Sequence, residues 1–464
     1  MTYGAACTYN FSFRPARRCP APSAASRSAR RKSRMPRSFL SSARLPAALI
    51  LSAALAACSS APQPQLAATA GLPAGFSEAQ TALLAEGSGR GGALSAQAAA
   101  CPTALALPFG QSGLDTGVYW YARGESGSPG GVGCKARADG AAISGYYDPA
   151  KPVMLFVHGW QDGSTVAGVR DNFYFSDGNL NVADAWINAG WNVALFHWTQ
   201  LADDEGTVSV PYHSQAKIWT AGYSYRDTLG RTQNIGMRYR TPTGAYSVTG
   251  APTVSAGQLF YNAYRSALSQ WTYSGAEGVR VMGHSLGAQM ALAMTEKAYA
   301  DAGLSAAKRP RRVILADPFW SPASAAYGHS YAYLSPDANP AARSARIAQT
   351  LKSSGVAVEW IKSSRLLDLG GDNNLNMAKF ISRTEVFPDY VFDLNPASGL
   401  ARKHGAAPRW YLWSRSFAAN GAVSAANTQS VAVTRMNSGV RYDQNGGKSS
   451  ATPGDDTFVS AANP

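Results

Sequence analysis

The run Val279-Arg-Val-Met-Gly-His-Ser-Leu-Gly-Ala-Gln-Met290 constrains the fold of this chain more than any other stretch. Residues 279–282 are apolar except for Arg280 and read as a buried strand. Residues 288–300 are rich in helix formers and read as a helix. Between them stands Gly283-His284-Ser285-Leu286-Gly287, a G-x-S-x-G pattern. With 45 glycines in the chain, composition alone would supply roughly half of one such match. The strand-turn-helix setting is what makes it informative. A serine placed there sits on a sharp turn, and the two glycines let the backbone pass close to its neighbours. Its hydroxyl is then presented at the carboxyl end of the strand, within reach of a base.

The surrounding chain predicts the sheet that such a turn needs. Residues 152–158 and 192–198 are near-continuous apolar runs, as expected for parallel strands buried on both faces. Residues 182–189, between them, read as a helix. Strand, helix, strand at this spacing predicts a doubly wound, mostly parallel α/β sheet. Ligands in such sheets bind at the carboxyl ends of strands, where both His158 and Ser285 fall. Further elements are a helix over 258–271, a strand over 311–316 ending in Asp317-Pro318, a helix over 341–353 and a strand over 356–361. A mixed β stretch covers 385–393. The expected folded domain is 101–415. Residues 201–256 interrupt it with Trp219, Tyr223, Tyr225, Tyr239 and Tyr246 amid glycines and polar residues. They read as a cap-like insertion. Its aromatics either line an acyl pocket over Ser285 or pack a small core of their own. Residues 416–464 are rich in Ala, Ser, Asn and Gly and read as a polar tail.

The amino-terminal part reads as an address. Residues 1–57 carry ten Lys or Arg and no acidic residue, so removing them takes the net charge from +14 to +4. The basic charge therefore implies no nucleic-acid partner. Residues 35–57 begin at Met35 and hold a short apolar core, 45–57, suited to a signal peptide and too short to span a bilayer. The core ends Leu55-Ala56-Ala57-Cys58, which resembles the bacterial lipobox. That resemblance implies lipid on Cys58 and, with Ser59 next, sorting to the outer membrane. An ordinary secretory signal is the alternative. Residues 1–34 read as a mis-assigned or disordered extension, and 58–100 as a flexible tether. Cys7 and Cys19 lie in the discarded part. Cys101 and Cys134 remain, an even pair expected to form a disulfide in an oxidising compartment, with two free thiols as the alternative.

A serine hydroxyl needs a base to take its proton, and the base needs an orienting acid. In this kind of sheet the order along the chain is Ser, acid, His. Only His329 and His404 follow Ser285. His404 lies beyond the last predicted strands, where the topology places the base loop, and His329 lies in the loop after Asp317. For the acid, Asp317 ends the strand after the nucleophile unit. Asp368 and Asp372 follow the next strand, the commoner position. An Asp before Pro can also simply cap a turn. The oxyanion donors expected are the backbone amides of Leu286 and Trp160. His158 and His284 adjoin them and read as structural or orienting. His197 and His213 have no metal-like spacing, so neither metal nor cofactor is expected.

Phe156-Val-His-Gly-Trp-Gln161, Asn192-Val-Ala-Leu-Phe-His-Trp198, Gly283-His-Ser-Leu-Gly-Ala288, Leu315-Ala-Asp-Pro318 and His404 resemble, in order and spacing, the secreted pancreatic-type lipases. The match covers roughly residues 150–415. It implies an α/β-hydrolase fold and hydrolysis of lipid or lipid-like esters. It also implies an acid on the strand after the nucleophile, which favours Asp317. The chain departs from that family in its 201–256 insertion, in lacking the family's disulfide framework and in having no recognisable lipid-binding second domain. The expectation is a lipoprotein esterase or lipase whose partners are an ester substrate and the membrane that holds Cys58. A phospholipase, polyester depolymerase or peptidase would use the same triad. From a different class, a non-catalytic surface or envelope-assembly protein on a hydrolase scaffold would also account for the insertion and tether.

Overall fold

A computed structural model describes residues 100–105, 113–125, 131–175, 180–204, 211–226, 229–322, 330–386, 396–417, 419, 421, 424–447 and 456–463. The expected signal peptide, Cys58, most of the tether and His329 lie outside the described residues. Ten strands share one sheet: β1 (Gly117–Tyr121), β2 (Cys134–Lys135), β3 (Val153–Val157), β4 (Asn192–His197), β5 (Val279–His284), β6 (Arg312–Ala316), β7 (Ala357–Lys362), β8 (Arg383–Glu385), β9 (Val440–Gly446) and β10 (Thr457–Ala462). Their order is β10-β9-β8-β7-β6-β5-β3-β4-β1-β2. From β9 across to β4 every pairing is parallel. Antiparallel strands, β10 and β1, flank that run. A disulfide joins Cys101 to Cys134 on β2.

The helices that matter here are α1 (Ala183–Asn188), α2 (Tyr212–Trp219), α3 (Ala256–Ala267), α4 (Leu286–Ala300), α5 (Pro340–Ser353), α6 (Pro396–Trp413) and α7 (Gln429–Met436). Strand residues alternate between the two faces of a sheet, and that period sorts the core into two layers. Val153, Leu155, Val157, Val279, Val281, Val313 and Leu315 pack with residues of α3, α4 and α5. Met154, Phe156, Val193, Leu195, Met282, Ile314 and Ile361 face the other way, toward α1 and α6. Both faces of these strands are buried, which is why they read as mostly apolar runs. Local signals set the helix starts. Ser255 caps α3 by accepting from the Gln258 amide at 3.2 Å, and Asn339 caps α5 from the Ala342 amide at 2.8 Å.

Connectivity selects the place for a site. The step from β3 goes to β4 on one side, and the chain then returns past β3 to lay β5 on the other. Strand order reverses between β3 and β5, so their carboxyl ends open a crevice. With a strand-turn-helix at Ser285 on β5, this is an α/β-hydrolase fold.

Three expectations change. Residues 416–464 are not a tail. They supply α7, β9 and β10, and β9 extends the parallel run beside β8. These strands, seven and six residues long, are mostly half-exposed or exposed: β10 is the sheet's edge and β9 lies next to it. Here Arg441 pairs with Asp443 at 2.7 Å, and apolar periodicity is weak. Second, His404 is not in a loop beyond the last strands. It lies inside α6, before β9 and β10. Third, the 201–256 insertion is partly core. In α2, every residue from Tyr212 to Ile218 is buried. Asp204 is buried beside it, with Lys217 at 2.7 Å, Arg238 at 2.8 Å and His213 at 3.2 Å. Tyr239 is buried, and Tyr246 lies 4.2 Å and 4.9 Å from the Arg238 and Arg240 guanidinium carbons. Tyr239 joins the main core with residues of β3, α3 and α4, and Trp219 packs against it, so these aromatics do not form a separate core of their own.

Candidate active site

Strand β5 ends at His284 and α4 begins at Leu286. The single residue between them, Ser285, takes φ 56° and ψ −124°. Side-chain-bearing residues rarely adopt this region, and it costs on the order of 1–3 kcal/mol. Close approach explains the glycines. A Cβ on Gly287 would lie 2.3 Å from the Val157 carbonyl oxygen, and one on Gly159 would lie 2.6 Å from Ser285 Cβ. No side chain fits either gap. The backbone after β3 therefore lies against Ser285, with Trp160 next in the chain and its indole buried in the core. Leu286 is the first residue of α4, so its amide has no acceptor within the helix. Ser285 is itself held by its backbone. Its amide donates to Ala316 at 3.1 Å, and its carbonyl accepts from Phe319 at 3.1 Å.

Those two bonds bring the end of β6 beside Ser285. Asp317, the next residue, also has a positive φ, 39°, and its amide donates to Ile361 at 2.7 Å. The turn directs its carboxylate into a set of donors. His404 Nδ1 lies 2.6 Å from Oδ2, and the Ser363 and Ser364 amides donate to Oδ1 at 2.7 Å and 3.0 Å. The Ser364 hydroxyl donates to Oδ2 as well. Burial favours the neutral acid, yet the His404 and Ser364 hydrogen bonds and the His404 charge outweigh it and hold the carboxyl below its ordinary range. Asp368 and Asp372 are engaged elsewhere. Asp368 pairs with Lys362 at 3.4 Å, and Asp372 accepts from the Asn374 amide at 2.8 Å.

With Nδ1 committed to Asp317, proton chemistry on the His404 ring falls to Nε2. His284 lies alongside, its ring centroid 4.4 Å from that of His404. His284 Nε2 donates to the His404 carbonyl at 3.0 Å. Burial, reinforced by the His404 charge, pulls His284 down to about 3, so it is neutral near pH 7. Burial likewise lowers His158 to about 3. His158 Nδ1 donates to Gly159 at 3.0 Å, and its Nε2 accepts from the Trp198 amide at 3.3 Å. This fixes the loop that carries Trp160. Both rings are buried and hydrogen-bonded to backbone beside the proposed site. Ser363 and Ser364 were not foreseen, since no sequence signal marks a serine pair after β7 as facing the end of β6.

The insertion reaches this neighbourhood through α2. Gln215 Oε1 accepts from Gln289 Nε2 at 3.1 Å and from the Ser321 hydroxyl at 3.0 Å. Gln289 sits one turn along α4 from Ser285 and also donates to the Phe319 carbonyl at 2.7 Å. Beyond α2, Tyr223 packs edge-on to Tyr333, with centroids 4.5 Å apart.

No protein-family model matches the chain, and no curated protein sequence matches it. Solved structures give slight likenesses. An acylaminoacyl peptidase of Pyrococcus horikoshii is 13% identical over 55% of this chain and 36% of its own, with a TM-score of 0.29. The chain thus spans about a third of that protein's length. LpqC, a poly(3-hydroxybutyrate) depolymerase from Bordetella parapertussis, is 13% identical over 56% of this chain and 68% of its own, with a TM-score of 0.21. A Rhizomucor miehei esterase is 15% identical over 55% and 59%, with a TM-score of 0.21. Likenesses this slight say nothing about substrate, and the resemblance to pancreatic-type lipases gains no support from them.

Proposed function

We propose that the protein is a serine hydrolase acting on carboxylic esters of lipid-like acids. The observation that carries the reading is the 2.6 Å contact between Asp317 and His404 beside a strained Ser285 at the strand-order reversal. Ser285 Oγ attacks the ester carbonyl carbon while His404 Nε2 takes its proton. Asp317 holds the ring and stabilises the imidazolium that forms. The amides of Trp160 and Leu286 receive the oxyanion, each worth roughly 3–4 kcal/mol in comparable sites. The tetrahedral intermediate collapses, the carbon–oxygen bond to the alcohol breaks, and His404 returns the proton to the leaving alcohol. Water, deprotonated by His404, then releases the acid and restores Ser285.

A fluorophosphonate probe tests this reading. The wild type should be labelled at Ser285, found by peptide mass spectrometry, and Ser285→Ala should not be labelled. A folded wild type that never reacts would show a non-catalytic binding scaffold instead. An ester panel of rising acyl length defines the substrate. We further propose export as an outer-membrane lipoprotein anchored through Cys58, supported by the sequence ending in Cys58 and by the paired Cys101 and Cys134. A mature amino terminus at any residue other than a lipidated Cys58 would overturn that.

A further inference from the structure

Helix α6 contains Pro408. Proline has no N–H, so the carbonyl four residues earlier loses its helical donor. That carbonyl belongs to His404. His284 Nε2 supplies the missing donor at 3.0 Å. One rung earlier, between the Lys403 carbonyl and the Ala407 amide, stands the Ser363 hydroxyl. It accepts from Ala407 at 3.1 Å and donates to Lys403. Two consecutive rungs of one helix are therefore filled by side chains from other elements, and both bracket the proposed base. The donors are also placed usefully along the chain. His284 directly precedes Ser285. The Ser363 amide binds Asp317 at 2.7 Å while its hydroxyl holds α6.

We infer that His284 and Ser363 are positioning residues, which fix the backbone of His404 so that its ring is held on Asp317 for the proposed proton transfer from Ser285. The inference rests on the hydrolase reading above. Chemistry fits the choice of residues. His404 becomes a cation during each turnover, and a neutral imidazole beside it donates a hydrogen bond without repelling that charge. Burial keeps His284 neutral. A free helical carbonyl in a dry interior would otherwise be costly. Misplacing a base by about 1 Å costs up to about 100-fold in rate.

The test uses five variants of the mature chain. His284→Leu and Ser363→Ala remove the donors. His284→Gln and Ser363→Thr keep an N–H or hydroxyl. Pro408→Ala restores a competing helical N–H. For each, kcat and KM on a soluble ester, Tm, and the low-field NMR resonance of the His404 Nδ1–H are measured. Expected for His284→Leu and Ser363→Ala is a fall in kcat of about 10- to 100-fold, with KM within twofold and the low-field resonance broadened or lost. His284→Gln and Ser363→Thr recover most of both. Pro408→Ala keeps or raises Tm yet lowers kcat, because a better helix recaptures the His404 carbonyl. Unchanged kcat and resonance in His284→Leu and Ser363→Ala overturn the inference. If those two fail to fold, an unchanged kcat in Pro408→Ala overturns it. Should the wild type hydrolyse no ester, the resonance still decides. Its loss in the donor-deleted variants keeps the positioning role while the hydrolase reading falls, and its persistence sinks the positioning role.

Discussion

At the scale of single residues, strain and charge meet at the same points. Ser285, Asp317 and Asn374 are the non-glycine residues with positive φ among those described, and the first two are the proposed nucleophile and acid. Ser285→Gly removes the hydroxyl and relieves the turn. Glycine in an ordinary setting costs about 0.5–1 kcal/mol relative to alanine. Here the order should invert, with Ser285→Gly melting at or above Ser285→Ala in calorimetry. A lower Tm for the glycine variant would mean the turn stores no strain. Asp317→Asn should cut kcat by on the order of 10⁴-fold, because an amide can hold the ring in the wrong tautomer. Steady-state kinetics with Asp368→Asn as the companion variant checks the assignment. A severe loss in Asp368→Asn with a mild one in Asp317→Asn would reverse it.

At the scale of elements, the insertion and the carboxyl-terminal strands behave differently from their composition. Because α2 is buried and tied to α4 through Gln215 and Gln289, the proposed cover narrows to the hairpin beyond it, Gly222–Arg226 paired with Thr232–Gly236, whose Tyr223 packs on Tyr333. Replacing 222–236 by a short Gly/Ser linker should leave the fold intact. It should also weaken turnover of long-chain esters more than of acetates, through loss of the Tyr223 contact to Tyr333. An unchanged acyl-length profile would mark the hairpin as remote from the pocket. The last elements carry a structural load. Arg280 and Arg312 are buried, and Arg280 donates to Ala425 at 2.8 Å while Arg312 donates to Asn427 at 3.2 Å. Ala432 and Met436 of α7 pack on Ala357 of β7. A chain ended after residue 417 would bare the edge of β8 and that apolar surface. It should aggregate and lose its cooperative melting transition, whereas a true polar tail could be removed without effect.

At the scale of the whole molecule, buried histidines set the acid limit. His158 and His284 are lowered to about 3, and His197 is lowered well below its ordinary value, all first by burial. An unfolded chain takes up these protons near pH 6.5 while the folded one refuses them. The unfolded state then binds more protons, so stability falls as pH falls, by up to about 1.4 kcal/mol per pH unit for each histidine. Above about pH 6.5 they contribute nothing to the slope. Asp317 adds a loss at lower pH. Its depressed acidity gives stability that is present above about pH 4 and disappears as pH drops through the folded value. Urea midpoints taken from pH 7.5 to 4.5 should decline steeply below 6.5, and a flat profile from 7 to 5 would contradict the neutral buried state of these rings.

The sequence by itself determined the elements whose signals are local. The apolar runs of β3, β4, β5 and β6 show in the chain because both faces of these strands are buried. Gly283 and Gly287 mark the turn at Ser285 because no side chain fits there. Ser285, Asp317 and His404 were legible as candidates through residue type and chain order. Tertiary structure alone decided the rest. Asp317, Asp368 and Asp372 are chemically alike, and only the register of β6 against β7 sets Asp317 rather than the others on His404. Ser363 and Ser364 bear no mark in the sequence, since their work depends on facing a strand more than 40 residues away, with hydrogen bonds from Ser363 and Ser364 to Asp317 spanning separations of 46 and 47. The strands β9 and β10 escaped notice because an edge strand and its neighbour, mostly half-exposed or exposed here, carry little apolar pattern. The loop expected for His404 followed from the chain order of such folds, whereas the structure holds it in α6, where partners from β5 and the β7 loop complete the hydrogen bonds that Pro408 leaves open.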